Sequence, residues 1–273
     1  MSIIAISRGT FSGGEAVAKG VAERLGYRCV SREVIFEAAW GYGVPADELM
    51  TTMEKPPAFW ERLAGKRTAH LVCMRAALCE YARGGNLVYH GYLGQLLLPG
   101  IAHVLRVRVI ADMKFRIRAA MAAQHLWRHE AMAYVEKVDK ERRQWTRFLF
   151  DVDWDDPSLY DLILNLERMS LATACDTVVQ LATCPDFAPT PASVKTLQDL
   201  ALSSQVAAVL AQDPRTTDAT LEVVADDGVV TVHGTTQSPT VAEAVRLVAR
   251  GVDGVKDVKG EVRYFREGMG VPL

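Results

Sequence analysis

The sequence predicts an α/β fold: a mainly parallel sheet with helices on both faces, followed by a small α+β unit. Three observations carry this. Short apolar runs alternate with longer stretches of helical periodicity through the first two thirds of the chain. A glycine-rich segment directly follows the first of those runs. Three prolines in CPDFAPTPAS, Cys184 to Ser193, then interrupt both patterns. The expected organisation is therefore a first domain over 1–184, a Pro-rich linker over 185–193 and a second domain over 194–273.

The elements follow in order. Ile3 to Ile6 reads as a buried strand. Val17, Val21, Ala22 and Leu25 share one face of a helix over Glu15–Leu25, with Gly26 placed as its C-terminal glycine. Leu71, Met74, Leu78 and Tyr81 fall at helical spacing over Lys66–Arg83, and Gly84 and Gly85 end that helix before a strand at Leu87–Tyr89. In HVLRVRVIA the alternation of Leu105, Val107 and Val109 with Arg106 and Arg108 predicts a strand, after which Asp112 is placed to cap a helix over Met113–Gln124. A helix over Ala131–Phe150, a strand at Tyr160–Asn165 and a closing helix over Met169–Leu181 complete the first domain. Beyond the prolines, a helix near Val194–Gln212 precedes two strands joined by Asp226, Asp227 and Gly228. A helix over Val241–Ala249 and a strand near Val258–Tyr264 end the pattern.

Bulk properties exclude some functions. With 49% hydrophobic and 23% charged residues, the chain has the composition of a globular protein. No apolar run approaches the ~20 residues that span a bilayer, and MSIIAISRG lacks the features of a secretory signal, so a cytoplasmic protein without a transmembrane segment is expected. Five scattered cysteines without ligand-like spacing read as free thiols, and no metal site is expected from them. The net charge of −2 argues against a nucleic-acid partner, yet His103 to Arg147 holds 11 Lys or Arg against 5 Asp or Glu. That cluster reads either as a grip on polyphosphate or as solvated helix faces.

The chemical signal is SRGTFSGGEA. A glycine-rich turn between a buried strand and a helix directs backbone N–H groups toward a phosphate. Gly9 and Gly14 have the spacing of the P-loop glycines in G-x-x-x-x-G-K-[ST], but Glu15 and Ala16 stand where the motif has Lys and a hydroxyl residue. A strand-to-helix turn that holds no ligand is the other reading of this loop.

SRGTFSGGEAVA resembles the phosphate-binding loop of the cytidylate-kinase-like family. The resemblance continues through RCVSREVIFEAA, LRVRVIADMKFRIRAAM and VEKVDKERRQWTRFLFDVDWDDPSLYDLILN. It implies a P-loop NTPase-type sheet with a helical lid, ATP and Mg2+ as cofactors, and a nucleotide as partner. It further implies that Arg8, Gly9, Ser12, Gly13, Gly14 and Arg118 surround the donor and that Arg32 lies near the acceptor's phosphate. Arg116, Arg118, Lys140 and Arg142 belong to the catalytic lid on the same grounds, and Asp139 reads there as a residue that orients Lys140 or Arg142, as a magnesium ligand, or as half of a surface ion pair. Departures are Glu15 for a basic residue, Phe11 where glycine is common, and Tyr92 after Gly91 in place of an arginine.

VVTVHGTTQSPTVAEAVRLVARGVDGVKDVKGEV is similar to a BON domain, with a strand ending at Gly234. That resemblance implies a lipid, an apolar ligand or a protein partner and no catalytic residue. The expected function is nucleotide binding with phosphoryl transfer to a pyrimidine nucleoside monophosphate such as CMP or dCMP. The alternative is a degenerate nucleotide sensor or a scaffold acting through the BON-like domain.

Overall fold

The computed structural model describes residues 2–47, 64–91, 93–217, 219–236 and 238–264. In chain order the elements are β1 (Ile3–Arg8), α1 (Gly14–Leu25), β2 (Arg28–Ser31), α2 (Arg32–Ala39), a 3-10 turn (Trp40–Tyr42) and α3 (Ala64–Arg83). There follow β3 (Leu87–Gly91), α4 (Gly94–Leu97), β4 (Val104–Ile110), α5 (Met113–Gln124), α6 (Arg128–Phe150), β5 (Leu162–Asn165) and α7 (Leu171–Ala182). The last are α8 (Pro191–Gln212), β6 (Thr220–Asp226), β7 (Val229–Thr236), α9 (Pro239–Arg250) and β8 (Asp257–Tyr264).

Five strands form a parallel sheet in the order β2-β3-β1-β4-β5. The central strand β1 is buried from Ile3 to Ser7, as a parallel strand covered on both faces must be. Ile4, Ile6, Val107 and Val109 pack with Val17 and Val21 of α1 and Val178 of α7 in one apolar cluster. Local chemistry sets the helix ends. The backbone N–H of Gly26, in the left-handed region at φ 65°, closes α1 on Ala22 and Glu23. Asp112 accepts from Phe115 N at 2.7 Å and starts α5, and Ser170 does the same for α7 through Thr173 N at 3.1 Å.

The second sheet runs β6-β7-β8, with β6 antiparallel and β8 parallel to β7. Asp227 and Gly228 both have positive φ, which is the backbone of the tight two-residue hairpin that their residue types favour. Val230 and Val232 pack with Val206 of α8 and Val245 of α9.

The structure departs from expectation around the prolines. Pro191 opens α8 instead of ending a linker, because a first-turn proline sacrifices no intrahelical hydrogen bond, and Pro185 begins a short 3-10 turn to Phe187. Strand β7 also continues past Gly234 to Thr236. The contacts divide the described residues into two compact units that alternate along the chain: 2–34 and 84–193 in one, 35–47, 64–83 and 194–264 in the other. Helix α3 belongs to the second, where Cys73 and Glu80 receive hydrogen bonds from Gln212 and Gln205 of α8. Among the described residues no helix is long and apolar enough to cross a membrane.

Gly234 pairs with Leu221, and a Cβ on it would lie 2.2 Å from the Thr220 carbonyl oxygen. Gly234→Ala is expected to destabilise the second unit by about 1–3 kcal/mol through forced displacement of β6, measured as a lower urea midpoint for the variant.

Candidate functional site

The loop Gly9–Gly13 leaves the carboxyl end of β1, where ligands of parallel α/β sheets bind. It is tied to β4 by Gly9 N to Val109 O at 3.2 Å and by the Ser12 hydroxyl to the same carbonyl at 2.7 Å. Ser12 is buried and its hydroxyl is spent on the loop's shape. Gly13 stands at φ 85°, and a Cβ there would meet Leu166 Cδ1 at 2.8 Å; one on Gly14 would meet Arg8 Cβ at 2.6 Å. Two close approaches therefore require these glycines. Helical bonding starts with Val17 N to Gly13 O, so the preceding first-turn amides form the donor-rich end of a twelve-residue helix.

Phe11, expected as a departure from glycine, adopts the glycine-like backbone at φ 58°. The left-handed conformation costs roughly 1–2 kcal/mol in a non-glycine residue. Its ring offsets that cost by packing on α5 and α6, against Ile117, Ala120, Ala131 and Val135, and it lies 6.1 Å from the Tyr134 ring.

Asp139, near the middle of α6, binds the loop from the other side. Its carboxylate accepts from Thr10 Oγ1 at 2.7 Å, from Thr10 N at 3.2 Å and from the Arg116 guanidinium of α5. Arg116 Nε also donates to Thr10 O at 2.7 Å. Burial would raise the Asp139 pKa, but the hydrogen bonds from Arg116 and Thr10 and the Arg116 charge hold it below the ordinary carboxylate range. Arg142, one turn further along α6, donates to Arg8 O at 3.3 Å and lies over the Trp154 ring at 5.7 Å.

Beside this cluster Arg108 of β4 is enclosed by aromatic rings, 5.4 Å from the Trp154 centroid and 5.3 Å from that of Tyr160. Its guanidinium donates to Trp154 O, Tyr160 Oη and the Asp155 carboxylate. Asp155 also lies 3.6 Å from Arg143 of α6. Gly9, Arg108, Arg116, Asp139, Arg143 and Trp154 line a cavity of about 230 Å3. Asp155 lines it too, so three guanidinium groups face the two carboxylates with which they pair, and the single positive charge in excess suits an anion of phosphate chemistry.

At the mouth of the loop Glu15 accepts from Lys19 Nζ at 2.8 Å and lies 3.6 Å from Arg8. The Lys19 hydrogen bond lowers the Glu15 pKa, burial opposes it, and the Arg8 charge lowers it further. Glu15 is thus ionised at neutral pH and neutralised by two cations. His90, at the end of β3, is buried with Nδ1 lacking a hydrogen-bond partner among the described residues. Burial, then the Arg8 charge, lowers its pKa and keeps the ring neutral. The backbone of this loop fits a nucleotide's phosphates. The magnesium half of the motif does not fit, since Ala16 offers no hydroxyl and the carboxylates of Asp139 and Asp155 are each held by arginine.

Of the residues singled out from sequence, the structure brings together Arg8, Gly9, Ser12, Gly13, Gly14, Arg116, Asp139 and Arg142. Lys140 and Arg118 are exposed and do not line the cavity; Arg118 lies two positions from Arg116, on a different helix face. Arg32 follows β2 and pairs with Glu33 at 3.1 Å. Tyr92 lies outside the described residues. Sequence reasoning missed Thr10, and it read Arg108 as strand charge within a basic segment that either grips polyphosphate or is solvated, without its aromatic neighbours. The segment VEKVDKERRQWTRFLFDVDWDDPSLYDLILN, which contains Trp154, Asp155 and Tyr160, carried the signal for the aromatic enclosure, without the partner it encloses.

Comparisons with known proteins find relatives of both parts of the chain. The profile described as "Cytidylate kinase-like family" matches residues 3–168, and a BON domain profile matches 198–264. The cytidylate kinase of Staphylothermus marinus is 29% identical over 174 residues, covering 63% of this chain and 90% of that protein. The cytidylate kinase of Ignicoccus hospitalis is 28% identical over 188 residues, covering 66% and 99%. Among solved structures, an uncharacterized protein from Eubacterium ventriosum superposes with a TM-score of 0.52 at 18% identity, covering 67% of this chain and 98% of that one. The last similarity concerns the fold alone.

Because the folded-state pKa of Asp139 is depressed, its bonds stabilise the site above the ordinary aspartate pKa, and that contribution is lost as pH falls through the depressed value. Asp139→Asn is expected to cost about 2 kcal/mol at pH 7 and to flatten the acid limb below about pH 4. Urea titrations from pH 7 to pH 3, followed at the Thr10 amide by NMR, measure both effects.

Proposed function

The chain belongs to the cytidylate kinase-like family, and from that membership we propose that it binds ATP and transfers its terminal phosphoryl group to a pyrimidine nucleoside monophosphate, CMP or dCMP. The observation that carries this reading is the arginine cluster, Arg116 and Arg142, fixed against the loop backbone by Asp139, Thr10 and the Arg8 carbonyl. Phosphoryl transfer needs alignment and cations on the transferring oxygens more than it needs covalent chemistry. The loop amides hold the donor's phosphates. Arg116 and Arg142 neutralise the group in flight, and Arg32 steadies the acceptor's phosphate, whose oxygen attacks the terminal phosphorus as ADP leaves. Lys140 and Arg118 reach the site only by closure of α5 and α6 over the nucleotide. No step is assigned to magnesium, for which the loop lacks its usual hydroxyl. The protein acts in the cytoplasm, and the segment after 185–193 supplies a surface for a lipid, an apolar ligand or a protein.

A second reading has its own support. Glu15 occupies the lysine position and already engages Arg8 and Lys19, which favours a protein that binds nucleotide as a signal without turning it over.

Purified full chain given ATP, magnesium and a panel of nucleoside monophosphates separates the two. The kinase reading expects ADP formation that depends on one pyrimidine acceptor; ATP binding without transfer supports the sensor, and neither result leaves both unsupported. Glu15→Lys is expected to tighten ATP binding by about tenfold by reversing a charge beside the phosphates. In a kinase turnover is kept or raised as well, and in a sensor it stays absent.

A further inference from the structure

The second compact unit carries a wide, solvent-open cavity of about 610 Å3, whose volume, though not its enclosure, is that of a small-molecule site. The 3-10 turn at Trp40–Tyr42, α3, α8 and α9 all contribute to its walls. Its polar side is built around one carboxylate. Tyr42 donates its phenol hydrogen to Glu80 Oε1, and Gln205 Nε2 donates to the same oxygen at 3.4 Å. Burial, then the Glu80 hydrogen bond and charge, raises the Tyr42 pKa, so the phenol remains a donor. These bonds hold the carboxylate while leaving Oε2 without a hydrogen bond to either.

Charge around the cavity is unbalanced. Arg215, the one cation in the lining among the described residues, is folded onto Asp213 by Nε and Nη2 at 2.9 and 2.7 Å. Glu80 and Asp253 remain, and among the described residues neither has an ion-pair partner. The other side is apolar, with Val209, Val248 and Leu247. Leu247 matters most. Val245, Val248 and Ala249 give α9 its core face, whereas Leu247 is 65% exposed at the cavity wall. Trp40, beside the lining residue Gly41, is 72% exposed.

We propose that this cavity binds a small organic cation, with an ammonium group at the Glu80 carboxylate and an apolar body against Val209 and Leu247. A carboxylate held by neutral donors, with a second carboxylate in the same lining, attracts a cation and repels an anion. An exposed leucine at the wall gains by covering with an apolar ligand surface. The site shares no residue with the loop or its arginines, so it stands or falls separately from phosphoryl transfer.

The test is calorimetric titration of the full chain at pH 7 with 2-phenylethylammonium, its neutral counterpart 2-phenylethanol and the anion phenylacetate. The ammonium compound is expected to bind most tightly, with the anion weakest. Glu80→Gln is expected to weaken it roughly threefold to fivefold, the usual effect of one part-exposed ion pair. Leu247→Ser is expected to weaken it by a similar factor through lost apolar contact. Both positions are exposed, and matching thermal melts of the variants establish that they fold. Absence of ammonium binding, equal binding of the neutral compound, or an unchanged affinity in either variant overturns the proposal.

Discussion

The Asp139 carboxylate joins two parts of the chain that have no backbone connection nearby. On one side it fixes Thr10 by hydroxyl and amide, and on the other it fixes the guanidinium of Arg116. Loop and lid helices thus share an acceptor. Phe11 adds an apolar bond in the same direction, and Arg142 adds a third through the Arg8 carbonyl. A carboxylate so placed must stay charged, because neutralising it would leave buried donors unmatched. The surrounding geometry, including the cavity next to Gly9, depends on that charge being kept.

The charge arrangement at the mouth of the loop is unusual for a phosphate site but internally consistent. Glu15 introduces a negative group where a helix N-terminus already favours anions, and Arg8 and Lys19 balance it. The carboxylate therefore competes with an incoming phosphate for the same cations. Whether the site transfers a phosphoryl group or only senses a nucleotide turns on how that competition resolves. The fold leaves both outcomes available, since the backbone cradle does not depend on the side chain at position 15.

Much of the architecture was legible in the residues because the signals were local. Gly26 ends α1, Asp112 starts α5, and Asp227 with Gly228 turns the hairpin as their backbone preferences dictate. Apolar alternation marked β4, and the loop glycines marked the site. What stayed hidden depended on distant partners. The hydroxyl of Ser12 reads in the sequence as a phosphate donor, but in the fold its hydrogen goes to the Val109 carbonyl. Arg108 reads as ordinary strand charge unless Trp154 and Tyr160, about fifty residues later, are known to flank it. Prolines suggested an interruption at 185–193, yet Pro191 is as compatible with a helix start as with a break, and no local rule chooses between them.

The mixed pairing of the small sheet has a consequence for the order in which it is made. Strands β6 and β7 meet through a two-residue turn, a contact of short sequence separation that closes quickly. Strand β8 reaches β7 in parallel only after α9 has crossed between them. During synthesis β7 therefore spends an interval as an open edge, with Val230 and Val232 lacking the cover that Val245 of α9 later adds, and in that interval the hairpin is most exposed to pairing with another chain.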